Sequence, residues 1–323
     1  MMNAIGGYLE LELNRGRSFY DDSIKLNSAR NCFAYILRAR QYRKVYIPYY
    51  TCDVMLEPIN KLGIDYEFYS INKIFEIENT IQLQKNEALL YTNYFGLKQQ
   101  YISQLSDIYA SQLIVDNAQA FYSQRIKNID TFYSPRKFFG VSDGGYLYTN
   151  KILNEEFKQD YSYDRMSHLL KRIDLSAEEG YNDFCKNDNS LVNQSIKKMS
   201  KITNAVLSTI NYDIVRMKRI ENFNQLHSVL KSINQINIPL GIDTPAMIYP
   251  LLIDKGDKLK KYLIENKVFV ATYWHNVKDW CTSNSFEMQL YNNLVCLPID
   301  QRYNKNDMKH ILDIYEEGGF HRK

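Results

Sequence analysis

Between residues 28 and 150, apolar runs of strand length alternate with stretches of helical period. In SARNCFAYILRAR, Phe33, Ile36 and Leu37 recur on one helical face, and Ser28 or Asn27 is placed to cap the start. KVYIP then predicts a strand stopped by Pro48, DVMLEPINKLG a short helix ending at Gly63, and YEFYSI the next strand. EALLYTNYFG, QLIVDNAQA and GGYLYT have strand length, and QQYISQLSDIYAS reads as a helix between the first two. Strand, helix, strand, repeated, predicts an α/β fold: a mainly parallel sheet with helices on both faces. Ligands on such sheets collect at the carboxyl ends of the strands.

After Thr149 the pattern turns to long polar and amphipathic stretches. Ile202, Val206, Ile210 and Ile214 recur four apart, predicting one helical stripe that crosses the large domain or meets a partner subunit. NDFCKNDNS reads as a loop. From about residue 240, MIYPLLIDKGDKLKKYLIENKVFV predicts strand, helix and strand, and DMKHILDIYEE a closing helix. The expected division is a large α/β domain over residues 1–235 and a smaller C-terminal α/β domain over 236–323.

Composition narrows the function classes. The chain has 323 residues, 45% of them hydrophobic, enough to fill a substantial core. Its 40 basic and 37 acidic residues are interspersed, giving +3 with no basic block to suggest a nucleic-acid partner. No stretch approaches the length of a membrane span, and MMNAIGGYLELELN lacks the layout of a signal peptide. Cys32, Cys52, Cys185, Cys281 and Cys296 are scattered and not spaced for zinc, which fits a reducing cytoplasm and no metal. The 27 tyrosines reflect either codon usage or a site that stacks phenols on a sugar or nucleotide.

The chemistry concentrates in FYSPRKFFGVSDGGYLYT, where Lys137 stands among aromatic residues and Asp143, Gly144 and Gly145 follow. Lysine is seldom buried without a partner, so Lys137 occupies either an exposed turn or a site that needs its amine partly desolvated. Asp116, at the end of QLIV, is either a turn former or a carboxylate placed where cofactors dock. Asn27-Ser28-Ala29-Arg30 is either a plain cap or a helix start whose free N–H groups hold a phosphate. A phosphate cradle, a strand-end carboxylate and a later lysine, in that order on one sheet, are what pyridoxal 5'-phosphate requires.

In this arrangement the chain resembles the DegT/DnrJ/EryC1/StrS family of pyridoxal-phosphate-dependent sugar aminotransferases, from about Leu26 to Tyr315. The family's Ser-Gly-Thr-Ala-Ala-Leu turn falls on Ser28–Phe33, its Pro-Ser-x-Thr-aromatic segment on Pro48–Cys52, and its His-x-x-Gly on Asn93–Gly96. Asp-x-Ala-Gln matches Asp116–Gln119, and the lysine with an acid and Gly-Gly six to eight positions on matches Lys137, Asp143, Gly144 and Gly145. Leu-Pro-x-Asp-x-Arg-Tyr matches Leu297, Pro298, Asp300, Arg302 and Tyr303.

The resemblance implies the type I fold of these transferases and a homodimer with its active site at the subunit boundary. It implies that Lys137 forms the Schiff base and moves the proton, as general base and acid in turn. Asp116 would pair with the pyridine nitrogen and Gln119 with the ring's phenolic oxygen. Ala29 and Arg30 would hold the phosphate through a backbone N–H and a guanidinium. An amino group would pass from a donor such as glutamate to a keto sugar, carried on a nucleotide, for a cell-surface glycan.

The chain departs from the family in places. Cys52 stands where an aromatic ring stacks on the cofactor, leaving Tyr49 or Tyr50 to replace it. Phe132 stands in place of a phosphate-binding serine, with Ser134 or Arg136 to compensate. The family's Asn-Tyr-Arg-Met-Ser segment is only half kept at Lys198-Met199-Ser200, with Asn182 as a displaced counterpart of its asparagine. These departures leave two alternatives open: a catalytically altered member acting as a binding or regulatory protein, and a lyase on the same cofactor. Tyr273, Trp274, His275 and Arg302 either line a substrate pocket or pack the small domain.

Overall fold

The computed structural model describes residues 5–14, 16–238 and 245–320. Strand β1 (Ile24–Leu26) leads into α1 (Ala29–Arg40), where the Ser28 hydroxyl accepts the Asn31 N–H as an N-cap. Phe33, Ile36 and Leu37 are each at most 1% exposed, and burial of that size contributes roughly 1.5–3 kcal/mol per side chain. The chain continues through β2 (Lys44–Pro48), α2 (Leu56–Leu62), β3 (Asp65–Tyr69), β4 (Glu87–Thr92) and α3 (Gln99–Tyr109). Gly63 ends α2 at φ 62°, a left-handed C-cap that glycine adopts without strain. β5 (Leu113–Asn117), β6 (Asp130–Tyr133) and β7 (Gly145–Tyr148) complete a seven-stranded sheet in the order β1-β7-β6-β5-β4-β2-β3.

β3, β2, β4, β5 and β6 run parallel, and β7 pairs antiparallel with both β6 and β1. The mainly parallel sheet of the sequence reading is therefore present. One sheet face packs on α1 and α2 through Phe33, Ile36, Val45, Ile47, Leu90, Ile114 and Phe132. The other joins a core that continues without a break into the C-terminal elements, from Leu89, Val115 and Tyr133 to Leu251, Val295 and Ile311.

Helices α4 (Ser167–Asp174) and α5 (Ala177–Ser190) form a hairpin, followed by α6 (Lys201–Ser208) and α7 (Tyr212–Leu230). The C-terminal part holds β8 (Tyr249–Leu252), α8 (Gly256–Glu265), α9 (Val277–Trp280), α10 (Phe286–Asn293), β9 (Leu294–Leu297) and α11 (Lys305–Glu317). β8 and β9 pair antiparallel as a separate sheet.

Three expectations are corrected. NDFCKNDNS is not a loop but most of α5, started by Ser176, whose hydroxyl accepts the Glu179 N–H, and held by its packing on α4. The stripe from Ile202 to Ile214 is not one helix: Asn211 caps the Ile214 N–H and opens α7 in a new phase, turning Ile214 out to solvent. VFV at 268–270 forms no strand, because Lys267 turns the chain at φ 63° and only Ala271 reaches β9, through a bridge to Cys296. β8 takes β9 as its partner instead.

Candidate active site

Side chains alternate along β5, so Ile114, packed against α1, puts Asp116 on that same face. Asp116 is the penultimate residue of β5 rather than the first one past it. It is 5% exposed, and its Oδ1 accepts the Ala118 N–H at 2.8 Å. Burial pushes its pKa up to about 6, opposed by that N–H and by the Lys137 charge. Oδ2 has no hydrogen-bond partner among the described residues. A desolvated carboxylate with a free oxygen is a receptor for a cationic ring nitrogen.

Lys137 ends a single helical turn, Pro135–Lys137, directly after β6. The turn is closed by Phe138 N–H donating to the Pro135 carbonyl at 2.9 Å. The Lys137 side chain is exposed, and its amine makes no hydrogen bond or ion pair among the described residues. Its charge nevertheless reaches two groups, partly opposing the burial that raises the pKa of both Asp116 and Cys52. Lys137 thus lies on an exposed turn, with its charge within electrostatic reach of the buried Asp116.

Gln119, 3% exposed, fixes its carbonyl on the Phe95 N–H at 3.1 Å. Its amide Nε2 is left without a protein partner among the described residues. The loop that carries Phe95 is strained, with Phe95 at φ 57° and Gly96 at φ 82°. Beneath it, Asn93 donates to the Asn117 Oδ1 at 2.9 Å and to the Ser123 hydroxyl at 3.0 Å. Ser134, directly after β6, is a buried residue whose hydroxyl makes no hydrogen bond among the described residues.

The start of α1 is fixed by the glycine pair. Gly144 adopts φ 118° and donates its N–H to the Asn27 carbonyl at 2.8 Å. A Cβ on Gly145 would lie 2.6 Å from the Ser28 carbonyl carbon and 2.8 Å from the Ala29 nitrogen. Asp143 does not face the site. It accepts from the Ser200 N–H and hydroxyl and from Thr203, tying the loop after Lys137 to the start of α6. The Arg30 guanidinium pairs with Glu57 and donates to the Leu191 carbonyl, while its Nε is buried without a partner among the described residues. Arg136 bonds Asp188 on α5 at 3.0 Å and likewise leaves a buried Nε that is unpartnered among the described residues.

Cys52 is half-buried beside Lys137, and burial pushes its thiol up to about 11, so it is neutral at pH 7. Neither neighbouring tyrosine is free to stand in for a ring there. Tyr49 stacks on Phe68 with centroids 4.7 Å apart, and Tyr50 is fully buried between Tyr94 and Trp274. The buried Tyr50 hydroxyl has no partner among the described residues. Tyr273 and Trp274 pack towards Phe95 and Tyr50. His275 and Arg302, by contrast, line a cleft of about 1050 Å³ between the α4–α5 hairpin and the C-terminal part, with Arg172, Tyr181, Phe184 and Lys267.

No protein-family model and no curated protein sequence matches this chain. Solved structures do. A DegT DnrJ EryC1 StrS aminotransferase from Brucella abortus superposes with a TM-score of 0.61 over 93% of this chain and 86% of its own, at 14% identity. The fold is that of the DegT/DnrJ/EryC1/StrS aminotransferases. Two further members of that fold agree: DesV of S. venezuelae (TM-score 0.62, 14% identity, 93% of this chain and 85% of the other) and NtdA of Bacillus subtilis. NtdA, solved with bound PMP, gives a TM-score of 0.62 at 15% identity, over 91% of this chain and 73% of its own.

Within this aminotransferase fold, the residue that sequence reasoning missed is Arg219, a cation at 1% exposure on α7. Its signal was available: an arginine on the face that Val215, Phe223, Leu226 and Leu230 bury. Among the described residues no three His, Cys, Asp or Glu side chains are grouped to hold a metal, and no helix is long and apolar enough to cross a membrane.

Proposed function

We propose that this chain is a pyridoxal-phosphate-dependent aminotransferase that moves an amino group from a donor such as glutamate to a keto sugar carried on a nucleotide. The observation that carries the reading is the pairing of Lys137, whose amine has no protein partner among the described residues, with the desolvated Asp116 carboxylate within its electrostatic reach. The donor set fits the cofactor. Asp116 Oδ2 would hold the ring nitrogen, the Gln119 amide the phenolic oxygen, and the first turn of α1 with Ser134 the phosphate. When bound, the cofactor supplies an electron sink that stabilises negative charge on the substrate carbon.

The chain's own groups do the rest. Lys137 would take the proton from the substrate carbon and return it two atoms along, across the intervening nitrogen, which the unencumbered amine on a short, pinned turn permits. Asp116 stays ionised against the ring nitrogen, because a cation there offsets the desolvation that raises its pKa. In the cleft between the α4–α5 hairpin and the C-terminal part, Arg172 offers charge to a diphosphate, beside Lys267 and Arg302, which are paired with Glu178 and Asp300, and Tyr181 and Phe184 offer rings to a base or sugar. We assign the acceptor to that cleft, the division near residue 235 to a large and a small domain, and the assembly to a cytoplasmic homodimer serving glycan synthesis.

The test is direct. Purified chain mixed with pyridoxal phosphate should acquire a visible absorption band that glutamate bleaches, and Lys137→Ala should abolish the band. A band that survives in Lys137→Ala after dialysis would remove Lys137 from its role. A band that glutamate never bleaches, whatever the acceptor, would count against transamination.

A further inference from the structure

We propose that Arg219 is the positioning residue for Lys137: it holds the carbonyl of Phe138, the residue that follows the lysine, and ties that residue to the C-terminal part of the chain. The role assigned to Lys137 rests on the aminotransferase reading, whereas the placement of Arg219 does not.

Arg219 sits on α7 at 1% exposure and makes no ion pair among the described residues. Asp300, whose charge reaches Arg219, is already held by Arg302 at 2.6 and 2.8 Å. Burying a cation among neutral groups is costly, and here burial pushes the guanidinium down to about 10, still charged at pH 7. Leucine would pack that face at lower cost, so the guanidinium is explained by what it bonds.

Its bonds converge on the lysine turn. The guanidinium lies over the Phe138 ring at 4.5 Å, and NH2 reaches the Phe138 carbonyl at 3.5 Å. Nε donates to the Gln301 Oε1 at 3.1 Å, which orients that amide so that its Nε2 donates to the same Phe138 carbonyl at 2.8 Å. The other end of that peptide, the Phe139 N–H, donates to the Pro135 carbonyl at 2.9 Å, as does the Phe138 N–H, so Phe138 is pinned on both sides, and Lys137 is held between that residue and its own N–H bond to the Ser134 carbonyl at 3.4 Å. NH1 bonds the carbonyls of Ala246 and Met247 at 3.3 and 3.1 Å. Met247 N–H in turn donates to the Phe95 carbonyl at 2.9 Å, and Phe95 N–H holds Gln119. One side chain thereby joins the lysine turn, the segment around Gln301 and the loop that carries Gln119.

Asn222, one turn along α7, supplies the contrast. It bonds the carbonyls of Ile299, Asp300 and Tyr303 but not the lysine turn. The experiment compares Arg219→Met, Arg219→Lys, Gln301→Leu and Asn222→Ala by amide hydrogen exchange of the cofactor-free protein. The same variants are then scored for Lys137 acetylation by limiting acetic anhydride and for the pH midpoint of the visible band with pyridoxal phosphate.

Arg219→Met is expected to raise exchange at residues 137–141 at least tenfold, change Lys137 acetylation and shift the band's midpoint, while kcat falls more than KM rises. Arg219→Lys should be intermediate, Gln301→Leu should change in the same direction to a smaller extent, and Asn222→Ala should leave 137–141 as in the parent chain. If Arg219→Met does not fold, Gln301→Leu against Asn222→Ala decides. A folded Arg219→Met with parental exchange and acetylation, or an Asn222→Ala that reproduces its effects, overturns the proposal. A parent chain that forms no band refutes the aminotransferase reading instead, and the exchange comparison still decides on Arg219.

Discussion

Replacing Asp116 with Asn should stabilise the cofactor-free protein while weakening its hold on the cofactor. Asn keeps the acceptor for the Ala118 N–H, so the change removes the charge and little else. In the folded chain burial raises the carboxyl pKa from 3.8 to about 6. Between those values the folded state binds the proton that the unfolded state releases, so stability falls as pH rises from about 4 to 6 and stays lowered above that. At pH 7.5 the penalty is about 3 kcal/mol, at about 1.4 kcal/mol per pH unit. With roughly 2.1 cal/mol/K of unfolding entropy per residue, relieving it in a chain of this length should raise Tm by about 4 °C. Thermal melts of both proteins without cofactor, at pH 4 and pH 7.5, provide the assay. The gain should appear at pH 7.5 and vanish at pH 4, and pyridoxal phosphate should raise the parent's Tm more than the variant's. Equal midpoints at pH 7.5 would refute the idea that this carboxylate is held desolvated.

Other substitutions test the scaffold. Gly145→Ala drives a methyl into the backbone of Ser28 and Ala29, and should cost about 1–3 kcal/mol and weaken cofactor binding measured by fluorescence titration. Asp143→Ala strands the buried donors of Ser200 and Thr203, and should cost about 3–5 kcal/mol in urea denaturation, with Asp143→Asn recovering part. Asp130→Ala leaves Arg40 without its bidentate partner at 2.7 and 2.8 Å, and should lower stability by a similar amount.

The parts of the fold that were legible in the sequence are those where local and tertiary preferences coincide. α1 carries its own cap and apolar spacing, and β7 opens on Gly145, a glycine that the packing on Ser28 requires. α5 was not legible, because Asn187, Asp188, Asn189 and Ser190 are weak helix formers and the helix is stabilised by docking on α4, which propensity does not register. β6 opens on Asp130, ordinarily a turn residue, whose burial depends on Arg40 ninety positions away. At the site, Lys137 and Asp116 each had a plain structural explanation, and their order along one sheet suggested a cofactor. The commitment of Arg30 to Glu57 and of Tyr49 to Phe68 depends on neighbours that spacing alone does not identify.

The chain has two tryptophans, and both lie on the seam between the seven-stranded sheet and the C-terminal part. Trp274 rests edge-on against Tyr50, with centroids 5.0 Å apart, and Trp280 rests against Phe68 at 4.7 Å. The molecule therefore carries its own optical gauge. Indole emission, excited directly or through the surrounding phenols, will report any parting of the two halves in solution without an added label.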